Sequence, residues 1–91
     1  MRVAQIIETK LTEALRPVAL VVTDDSARHA GHAGARDGGE SHFTLDIVSA
    51  EFVGKSRVAR QRLVYQLLAE ELKGPIHALS LVTRTPDEAQ A

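Results

Sequence analysis

The sequence predicts an α+β fold in the order α-β-β-α-β: a three-stranded mixed sheet with both helices packed on one face. Three observations carry this. Two segments repeat apolar residues at the three- and four-residue spacing of a helix, and three short segments are apolar or alternate at the period of a strand. The second and third strands are separated by about 25 residues containing one of the helices, long enough for a parallel, right-handed crossover. At 91 residues the chain is one small domain, expected to span residues 1–85.

In the first helix, residues 3–15, Val3, Ile6, Ile7, Leu11, Ala14 and Leu15 form one stripe, leaving Glu8, Lys10, Thr12 and Glu13 to solvent. Pro17 ends it, since proline lacks an N–H and disfavours helix in the residue before it. The run from Val18 to Thr23 is β-branched and apolar, a strand covered on at least one face, and Asp24-Asp25-Ser26 stops it. From Ala27 to Gly39 there are four glycines (Gly31, Gly34, Gly38 and Gly39) and no large aliphatic residue. Such a stretch buries nothing and is expected to be an exposed loop, longer than the usual connection.

The segment from His42 to Ser49 alternates, with Phe43, Leu45 and Ile47 on one side and His42, Thr44 and Asp46 on the other: a strand with one wet face. Residues 52–55 make a turn, and Ser56 is an N-cap for a helix running to about Leu72 with Val64, Leu67, Leu68 and Leu72 buried. Gly74-Pro75 closes it, Ile76–Val82 is the third strand, and residues 86–91 are expected to be a flexible C-terminal tail.

Composition excludes several functions. Eleven Lys and Arg against twelve Asp and Glu leave a net charge of −1, so there is no general cationic coat for nucleic acid. The absence of cysteine removes disulfides, thiol nucleophiles and self-contained Cys₄ or Cys₂His₂ metal sites. No apolar run reaches the length of a membrane span, and the N-terminus reads as helix rather than signal peptide, so the expected location is the cytoplasm, away from membranes. Gly54-Lys55-Ser56 resembles the end of a phosphate-binding loop, but Ser49 stands where that loop needs its first glycine. Asp24, Asp25 and Ser26 lack a nucleophile elbow and an oxyanion hole. Phe43, Phe52 and Tyr65 are too few to stack single-stranded bases. Nothing indicates catalysis.

Two features point to chemistry. His29 and His32 lie in the glycine-rich loop and His77 begins the third strand. If that strand runs opposite to the first, His77 and a loop histidine converge at one rim of the sheet. Imidazole is a ligand for zinc, copper, iron and nickel, but two imidazoles do not close a site. A shared [2Fe–2S] cluster, in which histidines replace cysteines and a partner supplies thiolates, fits that deficit. A strand-start histidine bonded to backbone is the alternative, and the residues alone leave both open. The second feature is the set Lys55, Arg57, Arg60 and Arg62 at the start of the second helix, where the macrodipole disfavours cations. They form a candidate site for a phosphate or carboxylate; the alternative is that their stems cover apolar surface while their heads pair with Asp46 or Glu51.

In order along the chain, Asp24-Asp25-Ser26, the histidine-bearing loop, Gly39-Glu40-Ser41-His42-Phe43, Phe52-Val53-Gly54-Lys55-Ser56, Arg60-Gln61-Arg62-Leu63-Val64-Tyr65 and Ile76-His77-Ala78-Leu79-Ser80 resemble the BolA family. The resemblance implies a fold similar to the class II KH fold. It also implies a non-enzymatic adaptor of iron–sulfur and iron homeostasis that partners a monothiol glutaredoxin of the CGFS type. The pair would share a glutathione-ligated [2Fe–2S] cluster. The family's ligand in the Ile-His-Ala-Leu block maps onto His77, and its Ser-x-x-His loop ligand onto His29, with His32 second. The family is also described as DNA-binding regulators of stress response and cell shape, a role that Lys55, Arg57, Arg60 and Arg62 would carry. Two departures bear on that role: the KH Gly-x-x-Gly clamp reads Gly54-Lys55-Ser56-Arg57, and a frequent Arg-His-Arg reads Arg60-Gln61-Arg62.

Overall fold

The computed structural model describes residues 2–25 and 41–91. In chain order these form α1 (Val3–Leu15), β1 (Ala19–Asp24), β2 (His42–Val48), a turn of 3₁₀ helix at Ala50–Phe52, α2 (Arg57–Leu67), α3 (Ala69–Lys73), β3 (Ala78–Arg84) and α4 (Pro86–Gln90). The sheet order is β1-β2-β3, with β1 antiparallel and β3 parallel to β2, so the expected mixed sheet is present. Among the described residues no helix is long and apolar enough to cross a membrane.

Helix α1 buries Ile7, Leu11 and Leu15, three residues four apart on one stripe, while Ile6 is half-buried and Ala14 is exposed. It stops at Arg16, which turns to a left-handed φ of 44° ahead of Pro17 and donates its N–H to the Thr12 carbonyl at 3.1 Å. The central strand supplies Phe43, Leu45 and Ile47 to the core. Register then builds the sheet's contribution in rows, Val22–Leu45–Leu81 and Leu20–Ile47–Thr83 on the helix side. The opposite face carries Val21, Asp46 and Val82 and is left open; there Arg84 donates to Asp46 at 2.9 Å.

The crossover begins with a tight turn. Gly54, at φ 79°, takes a conformation that costs any other residue, and the Lys55 N–H closes back on the Phe52 carbonyl at 3.1 Å. Ser56 caps α2 as expected, its hydroxyl accepting from the Ala59 N–H at 3.1 Å. The single helix expected to reach Leu72 is instead broken at Leu68 (φ −107°, ψ 20°). Leu68 stays fully buried, and the re-aimed last turn brings Glu71 onto Lys10 of α1, whose ammonium sits 2.9 Å from both carboxylate oxygens.

Two further expectations are corrected. Strand β3 runs from Ala78 to Arg84 rather than from Ile76 to Val82, because the Ile76 N–H goes to the Glu71 carbonyl and closes α3 instead of joining the sheet. Residues 86–90, expected as part of a flexible tail, form helix α4. Pro86 opens it, the Thr85 hydroxyl accepts from the Glu88 N–H, and the Glu88 carboxylate accepts from the Thr85 N–H at 2.8 Å.

Candidate functional site

The rim at which β1 ends and β2 and β3 begin carries His77, the candidate ligand that lies among the described residues. Asp25 follows β1 and donates its N–H to the His42 carbonyl at 2.7 Å. Ser41 precedes β2, and its carbonyl accepts from the N–H groups of His77 at 2.7 Å and Ala78 at 3.2 Å. The chain therefore leaves the sheet and returns to it beside His77, through two residues hydrogen-bonded into one rim. The side chain of Thr44 donates to Asp25 just below.

His77 is exposed, so its imidazole is open to a partner although its backbone is fixed by Ser41. Its ring lies 6.1 Å from that of His42, centroid to centroid, at an interplanar angle of 18°. His42 is half-buried and its Nδ1 is 2.9 Å from the hydroxyl of the fully buried Ser41. The sequence reading placed His42 as a solvated strand residue; parallel pairing, which sets His42 opposite Ala78, makes it the neighbour of His77. Only the register reveals that. His29 and His32 lie outside the described residues. Among the described residues, no three His, Cys, Asp or Glu side chains converge as a metal site. His77 is thus an exposed donor without a closed ligand set of its own.

The cationic helix start divides. Arg60 is not part of an exposed basic surface: it is buried, a full helical turn inside α2, and its guanidinium is consumed within the protein. Its Nε donates to the Lys55 carbonyl at 3.0 Å and its Nη1 to the Thr83 carbonyl at 3.2 Å. Both terminal nitrogens also reach Glu88, and the group lies 5.9 Å over the Phe52 ring. Charge-assisted bonds from Arg60, then the Thr85 N–H, pull the Glu88 carboxyl down from 4.5 to about 2. Lys55, Arg57 and Arg62 are exposed. Arg62 stands about 140° around the helix from Arg57, so these two do not share a face.

A family model described as BolA-like protein matches residues 11–88. The chain is 55% identical over 86 residues to SufE-like protein 1 of Arabidopsis thaliana, spanning 90% of this chain and 23% of that protein. It is 52% identical over 82 residues to Protein BOLA1 of the same plant, spanning 88% of this chain and 51% of that one. It thus spans about a quarter and about half of those two relatives. Against the UV-induced protein uvi31 of Schizosaccharomyces pombe it is 49% identical over 82 residues, covering 86% of this chain and 80% of the relative. Among solved structures, the BolA domain of SufE1 from Arabidopsis thaliana superposes with a TM-score of 0.84 at 50% identity, covering 93% of each chain. BolA1 from Arabidopsis thaliana superposes with a TM-score of 0.86 at 45% identity, covering 97% of this chain and 96% of that one. With sequence and architecture in agreement from α1 to α4, the chain belongs to the BolA-like protein family.

Proposed function

We propose that this chain is a non-enzymatic adaptor of iron–sulfur metabolism that docks on a monothiol CGFS glutaredoxin and contributes histidines, His77 with His29 or His32, to a bridging [2Fe–2S] cluster. The observation that carries the reading is the exposed His77 imidazole at the rim where Asp25 and Ser41 are hydrogen-bonded into the sheet. The donor chemistry fits a shared cluster: imidazole ligates iron, and the chain has no thiolate to complete a set alone. The partner and its glutathione would supply the thiolates. When bound, the cluster supplies iron and sulfide for transfer or for sensing. This chain's part is to hold one imidazole rigidly, through the Ser41 carbonyl, and to replace thiolate by a neutral ligand, which raises the cluster's potential and changes its lability.

Co-expression with a CGFS glutaredoxin tests this. A coloured one-to-one complex is expected, and His77→Ala is expected to abolish its mixed-ligand visible circular dichroism. An unchanged spectrum would end the assignment. His29→Ala and His32→Ala, compared in the same complex, separate the two loop candidates.

A second reading, nucleic-acid binding through Lys55, Arg57 and Arg62, has their exposure in its favour and loses Arg60 to Glu88. Affinity for duplex DNA that falls steeply between ~50 and ~200 mM salt, and survives His77→Ala, is its signature.

A further inference from the structure

The outer edge of β3 is a surface of a different kind. In a parallel ladder, alternate residues turn their N–H and C=O groups towards one neighbour. Ala78 donates to the Ser41 carbonyl, and the Arg84 carbonyl accepts from Ser49 at 3.0 Å, so Ala78, Ser80, Val82 and Arg84 face β2. Leu79, Leu81 and Thr83 therefore point their backbone groups outward, and β3 is the last strand of the sheet. Arg60 caps the Thr83 carbonyl on that edge. Among the described residues, nothing pairs with the N–H and C=O of Leu79 and Leu81 or with the Thr83 N–H. Such an edge is a template for one more strand.

The edge also opens into a groove beside α2. A depression of about 300 Å³, lined by Arg57, Gln61, Leu81 and Val82 among others, continues into one of about 360 Å³ that ends at the Arg60–Glu88 pair. Charge along it is uneven. Arg60 is neutralised by Glu88 and Arg84 by Asp46, whereas Arg57 is exposed and carries no ion pair among the described residues. On the other face of the strand Val82 is 44% exposed.

We propose that this groove takes an extended acidic segment of a partner protein as a fourth strand on β3, with a carboxylate side chain on Arg57 and an aliphatic side chain over Val82. Side chains of a strand alternate between faces, so neighbouring residues of the segment meet those two sites. A second copy of this chain fits poorly, because edge-to-edge pairing of two β3 strands brings two Arg57 side chains into one groove. A single-stranded nucleic acid fits less well: its phosphodiesters carry acceptors only, and its bases would find no aromatic side chain to stack on among the residues that line the groove. The surface owes nothing to the histidines.

The test is titration of the ¹⁵N-labelled full chain with a capped hexapeptide alternating glutamate and valine, with its lysine-for-glutamate counterpart, and with a decathymidylate. Saturable shifts and at least tenfold slower solvent exchange are expected at the Leu79, Leu81 and Thr83 amides with the acidic peptide. Arg57→Glu should weaken binding at least tenfold and Arg57→Gln by less, while His77→Ala leaves it unchanged. Equal binding of the lysine peptide, shifts confined to another surface, or the oligonucleotide moving these amides while the peptide does not, would each overturn the proposal.

Discussion

Arg60 of α2 and Glu88 of α4 meet in a two-bond ion pair, Nη1 to Oε1 at 2.8 Å and Nη2 to Oε2 at 3.3 Å. The guanidinium is buried and the carboxylate about half exposed, so the pair fastens the last helix to the edge of the sheet. The same guanidinium covers the outward carbonyl of Thr83 on β3.

The docking of α4 should depend on pH. The Glu88 carboxyl titrates at about 2 in the folded protein, chiefly through Arg60, against an ordinary 4.5. A depressed carboxylate contributes stability above its unfolded value and loses it as pH falls. The α4 contribution is therefore complete above about 4.5 and fades down to about 2. Amide exchange at Ala89, whose N–H is bound to the Thr85 carbonyl, should speed up across that window. Glu88→Gln should flatten the response, and a window that survives this change would refute the assignment.

Arg60→Ala should destabilise the protein by about 1–3 kcal/mol in urea unfolding, because the buried Thr83 carbonyl loses its donor while Glu88 keeps only the Thr85 N–H. Arg60→Lys should recover less than half of that, since an ammonium cannot place two parallel donors on Glu88 while reaching Thr83. Full recovery with lysine would mean that charge alone matters.

Lys10→Met should lower the urea midpoint of unfolding, because Glu71 is nearly buried and the ammonium meets both of its oxygens. The same contact raises the Lys10 amine above its usual value, first through the Glu71 hydrogen bond. Lys10→Met combined with Glu71→Leu should restore most of the loss, the expected behaviour of a buried pair replaced by apolar groups. Additive losses in the double variant would contradict this.

Phe52 is fully buried and supports the Arg60 guanidinium. Phe52→Ala should cost about 3–5 kcal/mol and Phe52→Leu considerably less. Beyond the cavity, the alanine variant should speed exchange at Ala89 by loosening Arg60, which a mere packing defect would not do.

The parts of the fold written in periodicity were legible in the sequence: the stripe of α1, the alternation of β2 and the Ser56 cap all follow from spacing. The break at Leu68 was not, because the apolar stripe runs through it and the contact it allows, Lys10 with Glu71, joins residues far apart in sequence. The α4 helix has a local signature too: Thr85-Pro86-Asp87-Glu88 carries a cap, a first-position proline and the return carboxylate. β3 runs opposite to β1, as the argument from strand direction requires, and His77 is exposed at that rim; the histidines it was expected to meet, His29 and His32, lie outside the described residues. The His42–His77 stack depends on a parallel register that no local pattern specifies. Arg60 looked like its basic neighbours because its partners, Thr83 and Glu88, belong to a later part of the chain.

The parallel pairing of β2 with β3 sets the order in which a nascent chain can become native. As it emerges from the ribosome, the β1–β2 hairpin is available early, but two strands alone are marginal in water. Phe43 and Leu45 gain their remaining strand neighbours only after the whole crossover has been synthesised, and Arg60 finds its carboxylate only once α4 has followed β3. Until then the most buried strand has one bare flank, so premature termination anywhere before α4 should yield a fragment that sticks to itself or to a chaperone rather than a smaller working domain.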